Sequence, residues 1–329
     1  MGGNESGGRL GIERARSAED EARILALEVR QGLLSSPRRL PARLFYDDCG
    51  SALFEEITRL PEYYPTRTEL AILEQRADEI VAAGPPRELV ELGSGSGRKI
   101  RLLLDAMRRA GRCESCVLLD VHERSLAESG AALAADYPGL RVRGIAGDFL
   151  VDLGLLGPGG GRLALFLAGT IGNLDPAEVP GFLARLSRHL AAGDGFLVGF
   201  DLVKDPARLH AAYNDAAGVT ARFNRNILAV VNRELGADFE PEAFEHVAFY
   251  APASSRIEMW LRASRAMRVE LPGADGSLKL EAGEAIRTEI SCKYTRSSVA
   301  ALLPDTGLGL DRWFTDPAED FALALLVRR

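Results

Sequence analysis

The chain has 329 residues, 47% of them hydrophobic and 26% charged, and carries a formal net charge of −7. That length predicts about two domains, or one with a sizeable insertion, and the composition is that of a chain with a substantial core. The acidic balance disfavours nucleic acid as an obligatory partner, and no apolar run reaches the ~18 residues needed to cross a bilayer.

Cys49, Cys113, Cys116 and Cys292 are too few for a disulfide framework in a chain of this length, and no secretory segment precedes them. A reducing, cytoplasmic setting is expected. The C-x-x-C of Cys113 and Cys116 has no second Cys or His pair at metal-site spacing, so it reads as incidental and no metal is expected. The opening Met1-Gly2-Gly3-Asn4-Glu5-Ser6 fits the loose acylation pattern without an adjacent basic cluster, and a Gly/Ser-rich tail is the better reading.

In chain order, residues 1–20 are poor in apolar side chains and predict a disordered tail. From Ala18 to Leu34, the residues Ile24, Leu25, Leu27, Val29 and Leu33 recur at roughly helical spacing. Further helices are expected near Ser51 and at Thr66 or Thr68, with the aromatic, turn-rich PEYYPTR between them. From Glu88 the pattern alternates: ELVEL, a helix from Arg98 to Arg109, CVLLD, a helix from Glu123 to Ala135, then LRVRGI. After a loop come LALFLAG, a helix from Pro176 to Leu190, and GFLVGFD. Short apolar runs separated by helix-length segments predict a doubly wound α/β domain on a parallel sheet. Residues 205–235 read as helical, and Phe244 to Glu281 contain alternating segments such as RIEMWLRA that predict antiparallel strands. A helix near Ser297 to Leu303 and a last strand, FALALLV, return to the first sheet.

The stretch VELGSGSGRK, from Val90 to Lys99, places three glycines directly after a strand, where backbone can approach a nucleotide-like ligand. A dinucleotide frame would need a glycine where Arg98 stands. Asp120 ends the next strand, where an acid accepts from ribose hydroxyls. Asp148 follows the third strand, where a carboxylate can address an adenine edge while Phe149 covers its face. Each acid alone could be a solvated strand end or a turn residue. Together with the loop they resemble class I methyltransferases that use S-adenosylmethionine.

From about Leu40 to the C-terminus the chain resembles the histidine-specific methyltransferase family. The resemblance rests on LFYDDCGSALFEEITRLPEYYPTRTE, VELGSGSGRK, TIGNL, FDLVKD, AYNDAAGVTARFNRNILAVVNREL, RIEMWLR and TEISCKY. It implies a class I, Rossmann-like doubly wound sheet over residues 68–203 plus 293–329, and a second α+β substrate-binding domain over 21–67 plus 204–292. It also implies S-adenosylmethionine-dependent trimethylation of the α-amino group of L-histidine to hercynine, in ergothioneine biosynthesis. Such an enzyme would be a monomer whose partners are histidine and its mono- and dimethyl forms, with no nucleic acid and no membrane.

Carried over residue by residue, the family implies cofactor contacts from Gly93, Lys99, Asp120, Asp148 and Phe149. Lys99 would reach the methionine carboxylate, although a solvated helix residue would look the same. Asn173 and Tyr213 would hold the substrate carboxylate, Tyr46 and Tyr63 would lie near the amine, and Met259 would close the pocket over the side chain. Tyr46 is the candidate for orienting the amine or relaying its proton. In TEISCKY, alternation puts Glu289, Ser291 and Lys293 on one strand face, with Ile290 and Cys292 on the other. Glu289 and Ser291 could take the two imidazole nitrogens; without the family, a polar strand face would be the simpler reading. Family members from fungi methylate other amines, such as a prenylated tryptophan, so another amine substrate is an alternative, as is a non-catalytic cofactor-binding protein. Ala168-Gly169-Thr170 stands where the family more often has Gly-Ser-Thr, which adds a methyl group near the amine.

Overall fold

The computed structural model describes residues 10–95 and 97–329. The chain opens on β1 (Leu10–Arg14), followed by α1 (Ala18–Leu34), α2 (Asp48–Ile57) and α3 (Pro65–Ala83). The alternating region comprises β2 (Glu88–Leu92), α4 (Arg98–Arg109), β3 (Ser115–Asp120), α5 (Glu123–Asp136), β4 (Arg141–Ala146), β5 (Arg162–Phe166), α6 (Val179–Ser187) and β6 (Gly195–Asp201). Then come α7 (Pro206–Tyr213), α8 (Val219–Leu235), β7 (Phe244–Ala251), β8 (Arg256–Ala263), β9 (Met267–Leu271), β10 (Gly276–Leu280) and β11 (Ala285–Cys292). The chain ends with α9 (Arg296–Ala301), β12 (Leu308–Thr315) and β13 (Phe321–Arg328).

Eight strands form one sheet in the order β1-β4-β3-β2-β5-β6-β13-β12. The first six in that order are mutually parallel, and β13 enters antiparallel between β6 and β12. Alternate residues of each strand feed opposite faces: Val90, Leu92, Val117 and Leu119 join one core, and Leu89, Cys116, Leu118 and Leu163 the other. Burial on both faces is why these strands read as continuous apolar runs. Strand order reverses at β2, which pairs with β3 on one side and β5 on the other, so a crevice opens at its carboxyl end.

A separate core gathers α1, residues 40–64, α7, α8 and the strands from β7 to β11. There β11, β8 and β7 make an antiparallel three-stranded sheet, and β9 and β10 a hairpin. The predicted helix over 205–235 is two helices. Gly218, at φ +67, breaks the run, and the Asp215 carboxylate accepts from the Val219 and Thr220 N–H groups, both at 2.8 Å, to start α8.

Two strands escape the sequence reading. Residues 10–14 depart from the disordered tail expected over 1–20: they pair in parallel with β4, and Ser17 caps α1 by accepting from Asp20 N–H. This edge strand buries little apolar surface, so composition does not mark it. Residues 1–9, with the acylation pattern, lie outside the described residues. In β12, an irregularity between Leu310 and Arg312 disrupts the alternation that would have exposed the strand to sequence reasoning. Among the described residues no helix is long and apolar enough to cross a membrane, and no cluster of three or more His, Cys, Asp or Glu is placed to hold a metal.

Candidate active site

A cleft of about 1060 Å³ lies between the carboxyl end of the parallel sheet and the separate core, and every site residue named from the sequence lines it. At the sheet end, Gly93, Gly95 and Gly97 have φ of +73°, +47° and +64°. Side chains rarely adopt that region, so the loop needs glycine for its path as well as for close approach. Gly97 caps α4 without a side-chain bond, which leaves the helix's first N–H groups facing the loop. Asp120 accepts from Gly95 N–H at 3.1 Å and from His122 N–H at 2.9 Å, so it shapes the loop it faces. The Asp148 carboxyl is pushed up by burial, with Leu150 N–H and Arg43 pulling the other way. Phe149 packs edge-on against Phe166, with ring centroids 5.0 Å apart, and close to Gly93.

Lys99 lines the cleft with its ammonium ion-paired to Glu69 of α3. Glu69 is fully buried, and its two oxygens also accept from Ala168 N–H at 3.0 and 2.9 Å. Glu69 was not anticipated. It ties α3, α4 and the turn after β5 together, and it holds Ala168 at φ +63, a left-handed conformation that costs a non-glycine residue free energy. Two buried oxygens beside the loop, Glu91 Oε2 and Ser94 Oγ, have no hydrogen-bond partner among the described residues. Burial pushes the Glu91 carboxyl up to about 8, against the pull of Lys99. Left-handed glycines, a strand-end acid and unpartnered buried oxygens fit a polar ligand with ribose and amino-acid ends, as S-adenosylmethionine has.

The other end of the cleft is built from side chains of distant segments. Glu289 lies opposite Met259 across the β11–β8 pair, beside an irregularity in β11 between Arg287 and Glu289. Ser291 and Lys293 follow on the same face, whereas Ile290 and Cys292 pack into the sheet core. Burial raises the Glu289 carboxyl to about 7, although Lys293 and a hydrogen bond from Asn173 draw it down. Tyr213, at the end of α7, donates from Oη to Ser291 Oγ at 2.8 Å. Lys293 Nζ donates to Ser291 Oγ at 2.7 Å and to Tyr213 Oη at 3.2 Å, and it pairs with Asp201 at 2.8 Å. Asp201 in turn accepts from Tyr64 Oη at 2.7 Å and from Lys204 Nζ at 2.5 Å. Burial alone would raise Asp201, but Lys293 and Lys204 outweigh it and hold the carboxylate below its ordinary range. FDLVKD and TEISCKY contain these charges, and an aspartate closing the otherwise apolar β6 was the signal available.

A second buried network fixes the backbone around this set. The Asn224 amide donates to His246 Nδ1 at 2.9 Å and to Trp260 O at 3.0 Å, and accepts from Thr288 Oγ1 at 2.6 Å. His246 Nε2 reaches Tyr213 O at 2.9 Å. Tyr213 is thereby linked to the residue preceding Glu289. Burial lowers the His246 pKa, consistent with a neutral ring whose Nδ1 accepts.

Aromatic rings from α2 and its surroundings roof the middle of the cleft. Tyr46 packs edge-on against Phe54 (5.9 Å) and Phe223 (6.2 Å), and Phe54 edge-on against Tyr63 (6.2 Å). Burial raises the Tyr46 pKa above the ordinary phenol value, and the charges of Glu289 and Asp120 add to the rise. One hydroxyl therefore senses acids at both ends of the cleft and stays protonated. The Tyr63 pKa is raised for the same first reason.

A family model described as histidine-specific methyltransferase, SAM-dependent, matches residues 25–328. A histidine N-alpha-methyltransferase of Mycolicibacterium smegmatis is 50% identical over 319 residues, spanning 97% of this chain and 99% of its own. That of Mycobacterium tuberculosis is 47% identical over 319 residues, spanning 96% and 99%. Ergothioneine biosynthesis protein 1 of Neurospora crassa is 32% identical over 293 residues, 83% of this chain but 31% of that longer one.

Proposed function

The chain belongs to the histidine-specific, S-adenosylmethionine-dependent methyltransferase family, and on that premise we infer that it trimethylates the α-amino group of L-histidine, giving hercynine for ergothioneine biosynthesis. The observation that supports this most is the joining of two ligand-sized ends in one cleft: the glycine loop with Asp120 at one, Glu289 with Ser291 at the other, and Tyr46 between them. Residues 21–67 with 204–292 serve as the substrate-binding unit, and 68–203 with 293–329 as the cofactor-binding unit. The site is formed within one chain, which suits a monomer, and the four free cysteines suit a reducing compartment such as the cytoplasm.

S-adenosylmethionine supplies a methyl group already activated on a sulfonium, so the protein's task is alignment and exclusion of water. The Gly93–Gly97 loop, Asp120, Asp148 and Phe149 are assigned to cofactor binding. Lys99, committed to Glu69, keeps donors that can still meet a carboxylate. Glu289 and Ser291 seat the imidazole, Met259 packs over it, and Asn173 meets the substrate carboxylate. Tyr213 stands beside that carboxylate, but its hydroxyl is engaged with Ser291 and Lys293.

Tyr46 and Tyr63 face the amine. Because burial keeps the Tyr46 phenol protonated, it orients the amine through its oxygen and does not serve as a phenolate base. Turnover therefore rises with pH as the substrate amine loses its proton. Aromatic faces around it accommodate the growing quaternary cation. The reaction stops after the third transfer, when no lone pair remains.

Mass spectrometry of the products formed from S-adenosylmethionine and a mixture of all amino acids tests the reading. Histidine carrying three α-N-methyl groups is expected; a different methylated amino acid would refute it.

A further inference from the structure

Lys293 is fully buried, and its three N–H donors have three acceptors: Asp201 Oδ2, Ser291 Oγ and Tyr213 Oη. An ammonium has no acceptor capacity, so both hydroxyl oxygens must receive from it. Ser291 and Tyr213 also bond each other, which uses one of their two protons. A single hydroxyl proton is left over. The geometry has Tyr213 Oη donating to Ser291 Oγ at 2.8 Å, so the remaining proton belongs to Ser291. Both lone pairs of Ser291 Oγ are then filled, one by Lys293 and one by Tyr213.

We propose that Lys293 is a specificity-determining positioning residue: by occupying one lone pair on each of Ser291 and Tyr213, while Tyr213 occupies the other on Ser291, it makes Ser291 solely a donor toward the substrate ring. This rests on the assignment of Glu289 and Ser291 to the imidazole. Glu289 accepts and Ser291 donates, so the pocket takes a neutral azole in one tautomer, N–H toward Glu289 and lone pair toward Ser291. A ring with two N–H groups, or with no acceptor nitrogen, leaves the Ser291 proton facing a group that cannot receive it.

The test compares kcat and KM for L-histidine with those for the pyrrol-2-yl and pyrrol-3-yl analogues, which keep a ring N–H but lack the acceptor nitrogen. In the wild-type protein the better pyrrole should lose roughly 10- to 100-fold in kcat/KM, chiefly through KM. In Lys293→Met, Ser291 can turn its proton onto Tyr213, and the ratio between histidine and pyrrole should shrink to within about threefold. A role confined to holding the fold would lower both substrates together and leave the ratio unchanged. That result, or equal wild-type kcat/KM for histidine and pyrrole, overturns the proposal. If Lys293→Met does not fold, Tyr213→Phe, which also frees a Ser291 lone pair, supplies the comparison: a narrowed ratio supports the proposal and an unchanged one refutes it. Failure of the wild type to methylate histidine would be seen before any analogue is added and would remove the substrate assignment itself, and the proposal with it.

Discussion

The two ends of the cleft are made of different materials. The sheet end is mostly backbone: a glycine loop at the switch in strand order and acids at strand ends, all within one alternating region. The other end is made of side chains from α7, β8 and β11, held by the buried charges of Asp201, Lys204 and Lys293 and by the Tyr64 phenol before α3. Backbone recognition suits a ligand used by many enzymes, because it depends on path and not on side-chain identity. Selection of one amino acid needs donors and acceptors of fixed direction, and direction comes from fully satisfied polar networks.

If that contrast is right, the largest effect on stability belongs to the side-chain end. Asp201→Asn leaves Lys293 and Lys204 buried without their shared counter-charge. A loss on the order of 3–5 kcal/mol is expected in denaturant unfolding. A loss below about 1 kcal/mol would show that water already reaches the network.

Next comes Glu289→Gln, which should raise the KM for histidine roughly 10- to 100-fold while cofactor affinity, read by titration calorimetry, stays within about twofold. Its pH dependence has a definite sign. Burial raises the carboxyl to about 7 in the free site, so below that pH it is protonated and accepts the ring N–H without the charge that strengthens the bond. Substrate affinity should therefore fall as pH drops through about 7, and this component should vanish in Glu289→Gln. Its persistence in the variant would assign it to the substrate alone.

Tyr46→Phe touches the junction of the two ends. It should slow turnover about tenfold and leave cofactor binding intact; unchanged rates in all three rounds would remove Tyr46 from the mechanism. The smallest effect is expected at Ala168, whose left-handed backbone a glycine would relax. Ala168→Gly should stabilise the protein by about 1 kcal/mol, read by thermal unfolding, and a loss of stability would mean that the methyl group's packing outweighs the backbone cost.

The same contrast explains what the sequence disclosed. Parallel strands buried on both faces, and a glycine run directly after one of them, are local patterns, so β2 to β6 and the loop from Gly93 to Gly97 were readable from spacing. The Glu289–Ser291 end was assigned a role only through a family resemblance, because a carboxylate two positions from a serine also describes an ordinary polar strand face. What neither route supplied was partnership. Glu69 pairs with Lys99 and with Ala168 far along the chain, and Lys293 meets Tyr213 and Asp201 only after β11 docks against the parallel sheet. Those contacts depend on three-dimensional closure, which periodicity does not encode. Strand β1 escaped for the opposite reason: it contributes main-chain pairing and almost no apolar pattern.

The most direct test of the account is a crystal structure with histidine and S-adenosylhomocysteine bound together. The ring is expected between Glu289 and Ser291, with its α-nitrogen beside Tyr46 and directed at the sulfur. A ring bound away from that pair, or an amine turned from the sulfur, would contradict it.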